Sequence, residues 1–534
     1  MRRFSEMVGL RRIVLAALLV AGAFFRLYQL DRYPLGVHQD EVSNIYDGWS
    51  LAETGADRFG DRRPAVIRAF GERDYRPALY AWLAAIPQRF TGFSVAGGRL
   101  PAAVLGIASL VLLYAFARDM AGYRYALLAL LLAAMSPLHI QLSRVAHEGG
   151  MLPPFFLILA LYLWHRSARN EFPALTVALL GLAIGFSANS YQSTRVTGPL
   201  VVIAVSIDIV RHARQKIRPL LVLGTAALIG ALPQILFLIN ETDRFMGRAR
   251  VLTLSTGGPV TYAGSFLHNY WLNIEPVYLF VPRVLRGLTV ARLLPVEAPF
   301  FYAGIVALAF LAVRERSRGR AYVYIATAIA IFPAALTTGN PSTMRASGLA
   351  VITPLLTAAG ILGIGRFVKS ASLREKIYYP AVVSAVVLAF AAMTYRYARS
   401  PYFQELSFQK IGVDMGAALG RHQSRYDAIV IERYVSIPYI YVAAFAPITP
   451  REFHRTPKAL YSTGMDTFTR LGKYHFVFES TMPATVASLG RRPGRFLFVS
   501  PKRIAGTSPV DSVAFGEQKL IFQACEQACL LRPR

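Results

Sequence analysis

Acidic residues and cysteines are both scarce in this chain of 534 residues. Asp and Glu number 30 against 58 Lys and Arg, which gives a formal net charge of +28, and charged residues make up only 16% of the chain. Because 54% of the residues are hydrophobic, so few charges cannot cover the apolar surface of an ordinary soluble protein. The two cysteines, Cys525 and Cys529, exclude a disulfide framework for the main fold, and no Cys/His cluster has the spacing of a structural zinc site.

The excess of basic residues does not form a nucleic-acid-binding pattern. Lys and Arg are spread mostly through short loops between apolar runs, which is typical of membrane topology and of contact with anionic lipid. Gly-x-Gly-x-x-Gly and P-loop patterns are absent as well. We therefore predict membrane lipids as partners and neither a nucleic acid nor a nucleotide.

Apolar runs of the length that crosses a bilayer, roughly 17–25 residues, occur through the first three quarters of the chain. The first, Ile13–Phe25, follows a basic flank, as in a signal peptide. Because the run continues into Arg26-Leu27 and further spans follow, we interpret it as an uncleaved membrane helix. We predict about eleven spans, and the others are Leu100–Ala117, Tyr125–Ile140, Met151–Trp164, Ala174–Ser190, Val196–Val210, Leu220–Ile239, Val296–Val313, Ala321–Leu336, Ala346–Ile364 and Ile377–Thr394.

The loops between these spans differ in charge. Arg211–Arg218, Arg314–Arg320 and Arg366–Lys376 each hold four basic residues, whereas the alternate loops Asn189–Arg195 and Thr337–Arg345 each hold one Arg. Basic loops remain on the cytoplasmic side. The N-terminus is therefore predicted to be cytoplasmic, and an odd number of spans places the C-terminal region outside.

The chain divides into two predicted domains. Residues 1–396 form an α-helical multi-pass membrane domain with long outside loops at 30–99 and 240–295, and the first loop holds an amphipathic surface helix at Ala78–Ile86. Residues 397–534 have the composition of a small soluble α/β domain. Its predicted strands are Ala428–Glu432, Tyr474–Glu479 and Arg495–Ser500.

The end of the chain is predicted to form a hairpin of Lys519–Cys525 with Ala528–Arg532. If this region is outside the cell, its two cysteines face an oxidising compartment. Both a Cys525–Cys529 disulfide and two free thiols remain open.

His38-Gln39-Asp40-Glu41, at the start of the first outside loop, contains the carboxylates of greatest interest. Acidic residues favour the N-terminus of a helix, so one interpretation is that Asp40 and Glu41 simply begin an interfacial helix. The alternative is a general base in a water-poor cleft, where burial tunes its pKa.

Arginines also occur at helix ends on the outer face, against the trend of the charge rule. Each one alone is typical of a lipid-headgroup or helix-end residue, but together they suit a bidentate grip on phosphate. The candidates for binding an anionic substrate are Arg76, Arg144, Arg195, Arg248 and Arg345, with Tyr191 beside them.

In order and sidedness, these motifs resemble the polytopic glycosyltransferases of the GT-C fold. The resemblance covers most of residues 10–395 and is greatest to families 39 and 83, which include protein O-mannosyltransferases and the lipid A aminoarabinose transferase. It rests on the Asp-Glu pair, Arg76-Pro77 before an amphipathic helix, Gly98-Arg99-Leu100-Pro101, Ser143-Arg144 with Glu148 four residues on, Tyr191–Arg195 and Phe245–Arg248.

The resemblance implies transfer of a sugar from a polyprenyl-phosphate donor to a lipid, glycan or protein acceptor at the outer face of the inner membrane. Asp40 takes the role of the base, with Glu41 as its neighbour. Glu148 stands where the family commonly has Asp, and Arg76 stands where it often has Lys. No cofactor is implied as a requirement, although some relatives bind a divalent metal in a loop, for which His268 is a candidate ligand.

Other functions remain open at this stage. A transporter or flippase for lipid-linked glycans would place ionisable residues near the middle of its spans, and the spans here are nearly free of them. A ligase of lipid-linked glycans is a related chemistry with different motifs. A structural anchor would leave the outer Asp-Glu and Arg groups unexplained.

Overall fold

The fold is known from a computed structural model, which describes residues 2–71, 74–254, 258–281, 291–314, 317–399, 409–460, 468–490 and 493–526. Helices, most of them long, account for most of the chain up to Arg399. In order they are α1 Arg2–Leu27, α2 Gln39–Thr54, α3 Leu79–Thr91, α4 Val95–Ala121, α5 Tyr123–Ala134, α6 Pro137–Leu142, α7 Leu152–Arg169, α8 Ala174–Ser187, α9 Thr194–His212, α10 Ile217–Asn240, α11 Thr242–Leu252, α12 Pro259–Leu272, α13 Pro276–Phe280, α14 Ala298–Arg314, α15 Arg318–Ala335, α16 Leu349–Gly365, α17 Ala371–Leu373 and α18 Tyr379–Arg399.

Ten of the eleven predicted spans each fall on one helix, namely α1, α4, α7–α10, α14–α16 and α18, whereas Tyr125–Ile140 covers most of α5 and continues into α6. Within the described residues, four helical segments are long and apolar enough to cross a bilayer: Val95–Ala121, Ile217–Asn240, Pro295–Arg314 and Ala371–Arg399. Three shorter apolar helices are Tyr123–Ala134, Ala174–Ser187 and Leu349–Gly365. The predicted class, a helical polytopic protein with a C-terminal sheet domain, is confirmed.

Small residues bring pairs of these helices into close contact. A Cβ atom on Gly304 of α14 would lie 1.8 Å from the carbonyl oxygen of Leu356 on α16, and one on Gly360 would lie equally close to that of Phe300. Gly185 of α8 meets α10 in the same way, 2.0 Å from the carbonyl oxygen of Ala227. Lipid tails are as apolar as the side chains, so membrane helices associate through such close packing and not through a hydrophobic driving force.

The first outside loop is compact. Its helix α2 is buried from Glu41 to Leu51, and α3 covers the predicted amphipathic stretch, with Tyr80 and Ala84 buried and Ile86 exposed. Between the two helices, strands β1 (Val66–Arg68) and β2 (Tyr75–Pro77) pair in antiparallel fashion. The loop therefore presents one end of α2 at a fixed position.

The C-terminal region is built on a seven-stranded sheet. Its strands are β3 Ala428–Glu432, β4 Lys458–Leu460, β5 Phe468–Leu471, β6 Tyr474–Val477, β7 Arg495–Ser500, β8 Ser508–Phe515 and β9 Gln518–Glu526, and its helices are α19 Lys410–His422, α20 Pro438–Phe445, α21 Pro450–Arg455 and α22 Met482–Gly490. The strand order is β4-β5-β6-β3-β7-β9-β8, with β3 parallel to β6 and β7 and the other neighbours antiparallel. The three strands predicted from the sequence are β3, β6 and β7.

The predicted terminal hairpin is wrong in its pairing. Lys519–Cys525 does form a strand, β9, but β7 pairs with one edge of it and β8 with the other. Because residues 521–524 of β9 pair with β7 on one edge and with β8 on the other, a further strand cannot pair with them. Ala528–Arg532 lies outside the described residues. Cys525 is disulfide-bonded, and Cys529 also lies outside the described residues.

The C-terminal domain packs directly on the first loop. The hydroxyl of Tyr441 donates to the carbonyl of Val37 at 2.8 Å, and that of Tyr46 donates to the carbonyl of Ile448 at 2.7 Å. His454 Nε2 lies 2.7 Å from the carbonyl oxygen of Asp57. These contacts fix α2 from the side opposite the membrane helices.

Candidate active site

Asp40 lies in the first turn of α2 and faces a cavity of about 550 Å³. His38 caps the helix, because its Nδ1 accepts the backbone N–H of Asp40 at 3.2 Å. The Asp40 side chain is 26% exposed, and it lines the cavity wall. Burial by itself raises the pKa of the Asp40 carboxyl, but contact with His147 and the charges of His38 and Arg76 hold that pKa well below its usual value. Asp40 is therefore ionised at neutral pH.

Glu41 forms a closed ion pair. Arg99 Nε donates to Glu41 Oε1 at 2.7 Å, and Arg99 Nη2 donates to Glu41 Oε2 at 3.1 Å. Glu41 Oε1 also accepts the backbone N–H of Ala146 at 2.8 Å. Arg99 donates further to the carbonyls of Leu30, Pro34 and Gly36, and both side chains are buried. Glu41 thus links the start of α2 to α4 and to the loop that follows α6.

His147 and Glu148 come from the loop between α6 and α7. His147 Nε2 lies 3.7 Å from Asp40 Oδ2, and Nδ1 lies 3.6 Å from Glu148 Oε2. Asn44 of α2 donates to Glu148 at 2.6 Å. Burial opposes charge on both groups, yet their mutual attraction raises the pKa of His147 and, together with Arg76, lowers the pKa of Glu148.

Arg76 of β2 is the centre of a second buried network. Its guanidinium donates to Asp47 at 3.1 Å and lies 4.0 Å from Glu148 Oε2, and it reaches the Asp40 carbonyl at 3.4 Å. Asp47 also pairs with Arg58. The Arg76 side chain is only 3% exposed. Arg76 therefore braces the carboxylates and does not line the cavity.

Two arginines in the cavity wall have no carboxylate partner among the described residues, although the guanidinium of Arg292 also lies 3.6 Å from the centroid of the Tyr278 ring. Arg345 donates to Thr337 Oγ1 and to the carbonyl of Thr338 at 2.5 Å. Arg292 donates to Thr343 Oγ1 at 3.0 Å and to the carbonyl of Tyr278 at 3.1 Å. Burial lowers the pKa of both guanidinium groups. A positive charge that is held in this way favours an anionic ligand.

Arg248 and Tyr191 line the same cavity. Arg248 of α11 contacts both oxygens of Asp74 at 2.8 Å. Although burial opposes its charge, Asp74 raises the pKa of Arg248 overall. Burial raises the pKa of Tyr191 to about 12, although Arg248 and Arg345 counteract this effect. The phenol therefore remains a hydrogen-bond donor at neutral pH.

Arg144 and Arg195 point elsewhere and are not among the residues that line this cavity. Arg144 donates to the carbonyls of Phe25, Tyr28, Gln29 and Tyr33 at 2.8–3.2 Å, which satisfies the C-terminal end of α1. Arg195 donates to Gln234 at 2.9 Å and lies over the ring of Phe245 at 4.1 Å.

The fold brings four residues to this region that are not among the predicted site residues, namely His38, Asp47, His147 and Arg292. Asp47 follows Asp40 by seven residues, which is two helical turns and therefore the same face. His147 and His38 are neighbours of the selected acids in the sequence. Arg292 carries no comparable signal, because its position depends on how the second long loop folds back.

His268, the candidate ligand for a metal site, is an exposed residue of α12. In the part of the chain that the structure describes, no group of three or more His, Cys, Asp or Glu side chains is arranged to hold a metal ion. The divalent metal stays a prediction.

Comparison with protein families gives one match. The family described as dolichyl-phosphate-mannose-protein mannosyltransferase matches residues 75–237, which include Arg76, Arg144, Glu148 and Tyr191. No curated protein sequence matches at a significant level.

Solved structures share the fold of this chain. ArnT from Cupriavidus metallidurans bound to undecaprenyl phosphate aligns at a TM-score of 0.54 and 14% identity, over 98% of this chain and 99% of that one. Its apo structure aligns at 0.53 and 14% identity, over 99% of this chain and 100% of that one. The Archaeoglobus fulgidus oligosaccharyltransferase, tethered with an acceptor peptide, aligns at 0.51 and 12% identity, over 82% of this chain and 63% of its own length.

At 12–14% identity, the structural similarity establishes the fold alone. It extends over nearly the whole chain and includes the C-terminal domain, since the alignment with the Cupriavidus protein covers 98% of the residues. The sequence-based resemblance to proteins of the GT-C fold is thereby confirmed.

Proposed function

Starting from a chain with the GT-C fold of membrane glycosyltransferases, we propose that it transfers a sugar from a polyprenyl-phosphate donor to a lipid, glycan or protein acceptor. One observation carries the proposal: an ionised carboxylate, Asp40, lines the same cavity as Arg292 and Arg345, which have no carboxylate partner among the described residues. A base beside unneutralised cations suits a reaction in which a hydroxyl attacks and a phosphate leaves.

In the proposed reaction, Asp40 accepts the proton of the acceptor hydroxyl. The acceptor oxygen forms a bond to the anomeric carbon of the sugar while the bond from that carbon to the phosphate oxygen breaks. The electron pair leaves with the polyprenyl phosphate. Arg292, Arg345 and Arg248 stabilise the charge on that phosphate, and the Tyr191 hydroxyl donates a hydrogen bond to it.

The other candidate residues support this arrangement from around the cavity, and among them Glu41 also lies in its wall. Glu41 and Arg99 hold the first turn of α2, and Glu148 and Arg76 hold the loop that faces it. Arg144 holds the end of α1 and Arg195 holds α9 against α10. For these residues we propose positioning roles and not contact with substrate.

We also propose that the reaction takes place at the outer face of the inner membrane, with a cytoplasmic N-terminus and a periplasmic C-terminal domain. The charge bias of the loops supports this orientation. The Cys525 disulfide agrees with an oxidising compartment. A cofactor is not part of the proposal, because the arginines supply the countercharge for the phosphate.

The test is sugar transfer in membranes that contain the wild type or Asp40→Asn. Undecaprenyl phosphate, the lipid bound in the Cupriavidus structure, carries the radiolabelled sugar, and extracted envelope lipids and proteins serve as acceptors. We expect the substitution to lower transfer by about 100-fold or more, the range of general base catalysis. Asp31→Asn, an exposed residue of the same loop, is the matched control and is expected to retain wild-type transfer.

Equal transfer by the wild type and Asp40→Asn would refute the assignment of the base. No transfer from a panel of lipid-linked donors, with movement of the lipid across the membrane instead, would favour a flippase. The same assay in EDTA tests the absence of a cofactor requirement.

A further inference from the structure

His147 lies between two carboxylates, Asp40 and Glu148, in the wall of the cavity. We propose that His147 is a positioning residue for Asp40, whose imidazole, held as the Nε2–H tautomer, orients the Asp40 carboxylate toward the acceptor hydroxyl. This inference rests on the proposed function, since it requires Asp40 to be the base.

The backbone determines which nitrogen of the ring carries the hydrogen. The amide N–H of Gly149 donates to Nδ1 of His147 at 2.9 Å. A backbone amide can only donate, so Nδ1 must supply a lone pair, and the hydrogen of the neutral ring lies on Nε2. That nitrogen is the one 3.7 Å from Asp40 Oδ2. Contacts of catalytic groups commonly shorten when substrate binds.

The ring is held in this orientation by its surroundings. His147 is a buried residue, and its ring contacts that of Tyr191 edge-to-face, with 6.0 Å between the ring centroids. Gly149 allows this contact, because a Cβ atom there would lie 3.0 Å from the Tyr191 ring. A side chain fixed by packing can hold its neighbour to within the tolerance that catalysis needs.

Other groups around Asp40 do not offer the same contact. His38 Nδ1 lies 3.4 Å from Asp40 Oδ2, but that nitrogen already accepts the Asp40 amide. Arg76 reaches only the backbone carbonyl of Asp40. Among the described residues, His147 Nε2 is therefore the group placed to donate to the Asp40 carboxylate.

The charged and titratable groups that face His147 come from four segments: α2, the loop of His147 itself, β2 and the loop between α8 and α9. Asp40 of α2 and Glu148 of its own loop favour a second proton on the ring, whereas Arg76 of β2 opposes it, and Tyr191 is neutral. A second proton would also place an N–H at Nδ1 against the N–H of Gly149. The group that donates to Asp40 is thus the Nε2–H of His147, which is present whether or not the ring is charged.

Two amides that differ by one methylene test this geometry. In His147→Gln the terminal amide reaches the position of Nε2, whereas in His147→Asn it reaches only the position of Nδ1. We expect His147→Asn and His147→Ala to lower kcat roughly 100-fold, the scale of a misplaced catalytic group, with KM for the donor unchanged. We expect His147→Gln to retain most of the wild-type kcat. His422→Gln, in the C-terminal domain, is the control.

The pH profile gives a readout that a loss of folding would not produce. Without a donor at the position of Nε2, the Asp40 carboxylate is less stabilised, so the acid limb of the kcat/KM profile should move to higher pH in His147→Asn and His147→Ala but not in His147→Gln. Binding of undecaprenyl phosphate by each variant confirms that the cavity is intact.

The outcomes separate the two proposals. If Asp40→Asn abolishes transfer while His147→Asn keeps the wild-type kcat and acid limb, this inference fails and the proposed function stands. If His147→Gln is as impaired as His147→Ala, a neutral donor at Nε2 is insufficient and the inference is again overturned. If Asp40→Asn transfers as well as the wild type, the proposed function itself fails.

Discussion

At the scale of single residues, the arginines of this protein divide according to their acceptors. Arg58, Arg76 and Arg99 are buried and pair with carboxylates. Arg345 and Arg292 line the cavity and donate to hydroxyl and carbonyl oxygens. In the cavity wall, this second kind leaves a positive charge without a carboxylate partner among the described residues, and an incoming anion provides the compensation.

This division predicts different kinetic effects for two arginine substitutions. Arg345→Ala should raise KM for the lipid-linked donor by roughly 10-fold, because a charge-assisted hydrogen bond of about 1.5 kcal/mol is lost. The control is Arg244→Ala, since Arg244 pairs with Glu241 on the exposed surface and contributes little to binding. Steady-state kinetics over a range of donor concentrations measures both variants, and an unchanged KM in Arg345→Ala would exclude phosphate contact at that residue.

Residue identity alone did not predict which arginine belongs to which kind. Arg144 stands in a motif that implies substrate binding, yet its guanidinium holds four carbonyls at the end of α1, more than 110 positions away in sequence. Such a contact depends on how two distant segments pack. The position of Asp40 depends less on such packing, because it lies in the first turn of α2, soon after the first predicted span.

At the scale of elements, the first outside loop contains a buried acid that is not part of the proposed chemistry. Asp57 follows α2, accepts the amides of Phe59 and Asp61 at 2.9 and 3.0 Å, and is completely buried. Burial and the nearby charge of Asp47 raise the pKa of Asp57 to about 7. The loop therefore binds a proton that the unfolded chain would release near pH 4.

This proton gives the loop a stability that depends on pH. Because the pKa of Asp57 is higher in the folded chain than in the unfolded one, the stabilisation that Asp57 contributes is fully present below about pH 4 and is lost progressively up to about pH 7. Asp57→Asn, which cannot ionise, should raise the apparent unfolding temperature by a few degrees at pH 8 and change it little at pH 4.

The exposed acid Glu53 of α2 is the control for this prediction. Glu53→Gln should leave the pH dependence of thermal unfolding as it is in the wild type, measured in the same detergent. A variant Asp57→Asn that is less stable than wild type at both pH values would show that Asp57 is ionised in the folded protein.

The helices were the most predictable elements, because a long apolar run is a local property of the sequence. Every predicted span lies on helical segments, and one of them, Tyr125–Ile140, continues from α5 into α6. The terminal hairpin was not predictable in the same way, since the partner of a strand is determined by the whole sheet. β9 pairs with β8 just before it and with β7 across the sheet, and neither partner was part of the predicted pairing.

At the scale of the whole molecule, the C-terminal domain and the membrane helices hold α2 between them. Tyr441 donates its hydroxyl to the carbonyl of Val37, which directly precedes the capping residue His38. Arg99, on the other side, binds Glu41. The position of Asp40 in the cavity thus depends on a domain whose sequence begins about 370 residues later.

This coupling predicts that a substitution in the sheet domain affects transfer. Tyr441→Phe leaves the buried carbonyl of Val37 without its donor, which costs about 1–3 kcal/mol. We expect a lower apparent unfolding temperature and a kcat reduced several-fold, with donor KM unchanged. Tyr434→Phe, at an exposed position of the same domain, is the comparison. If Tyr441→Phe loses stability but keeps the wild-type kcat, the domain stabilises the protein without positioning α2.

The charges of the cavity also have a consequence for inhibition. With Asp40 and the arginines exposed to one space of about 550 Å³, a small zwitterion can satisfy both kinds of group at once. A compound with an amine for Asp40 and a phosphonate for Arg292 and Arg345 has a single favourable orientation, because reversing it would bring like charges together. Selectivity against other anion-binding proteins would then come from the amine.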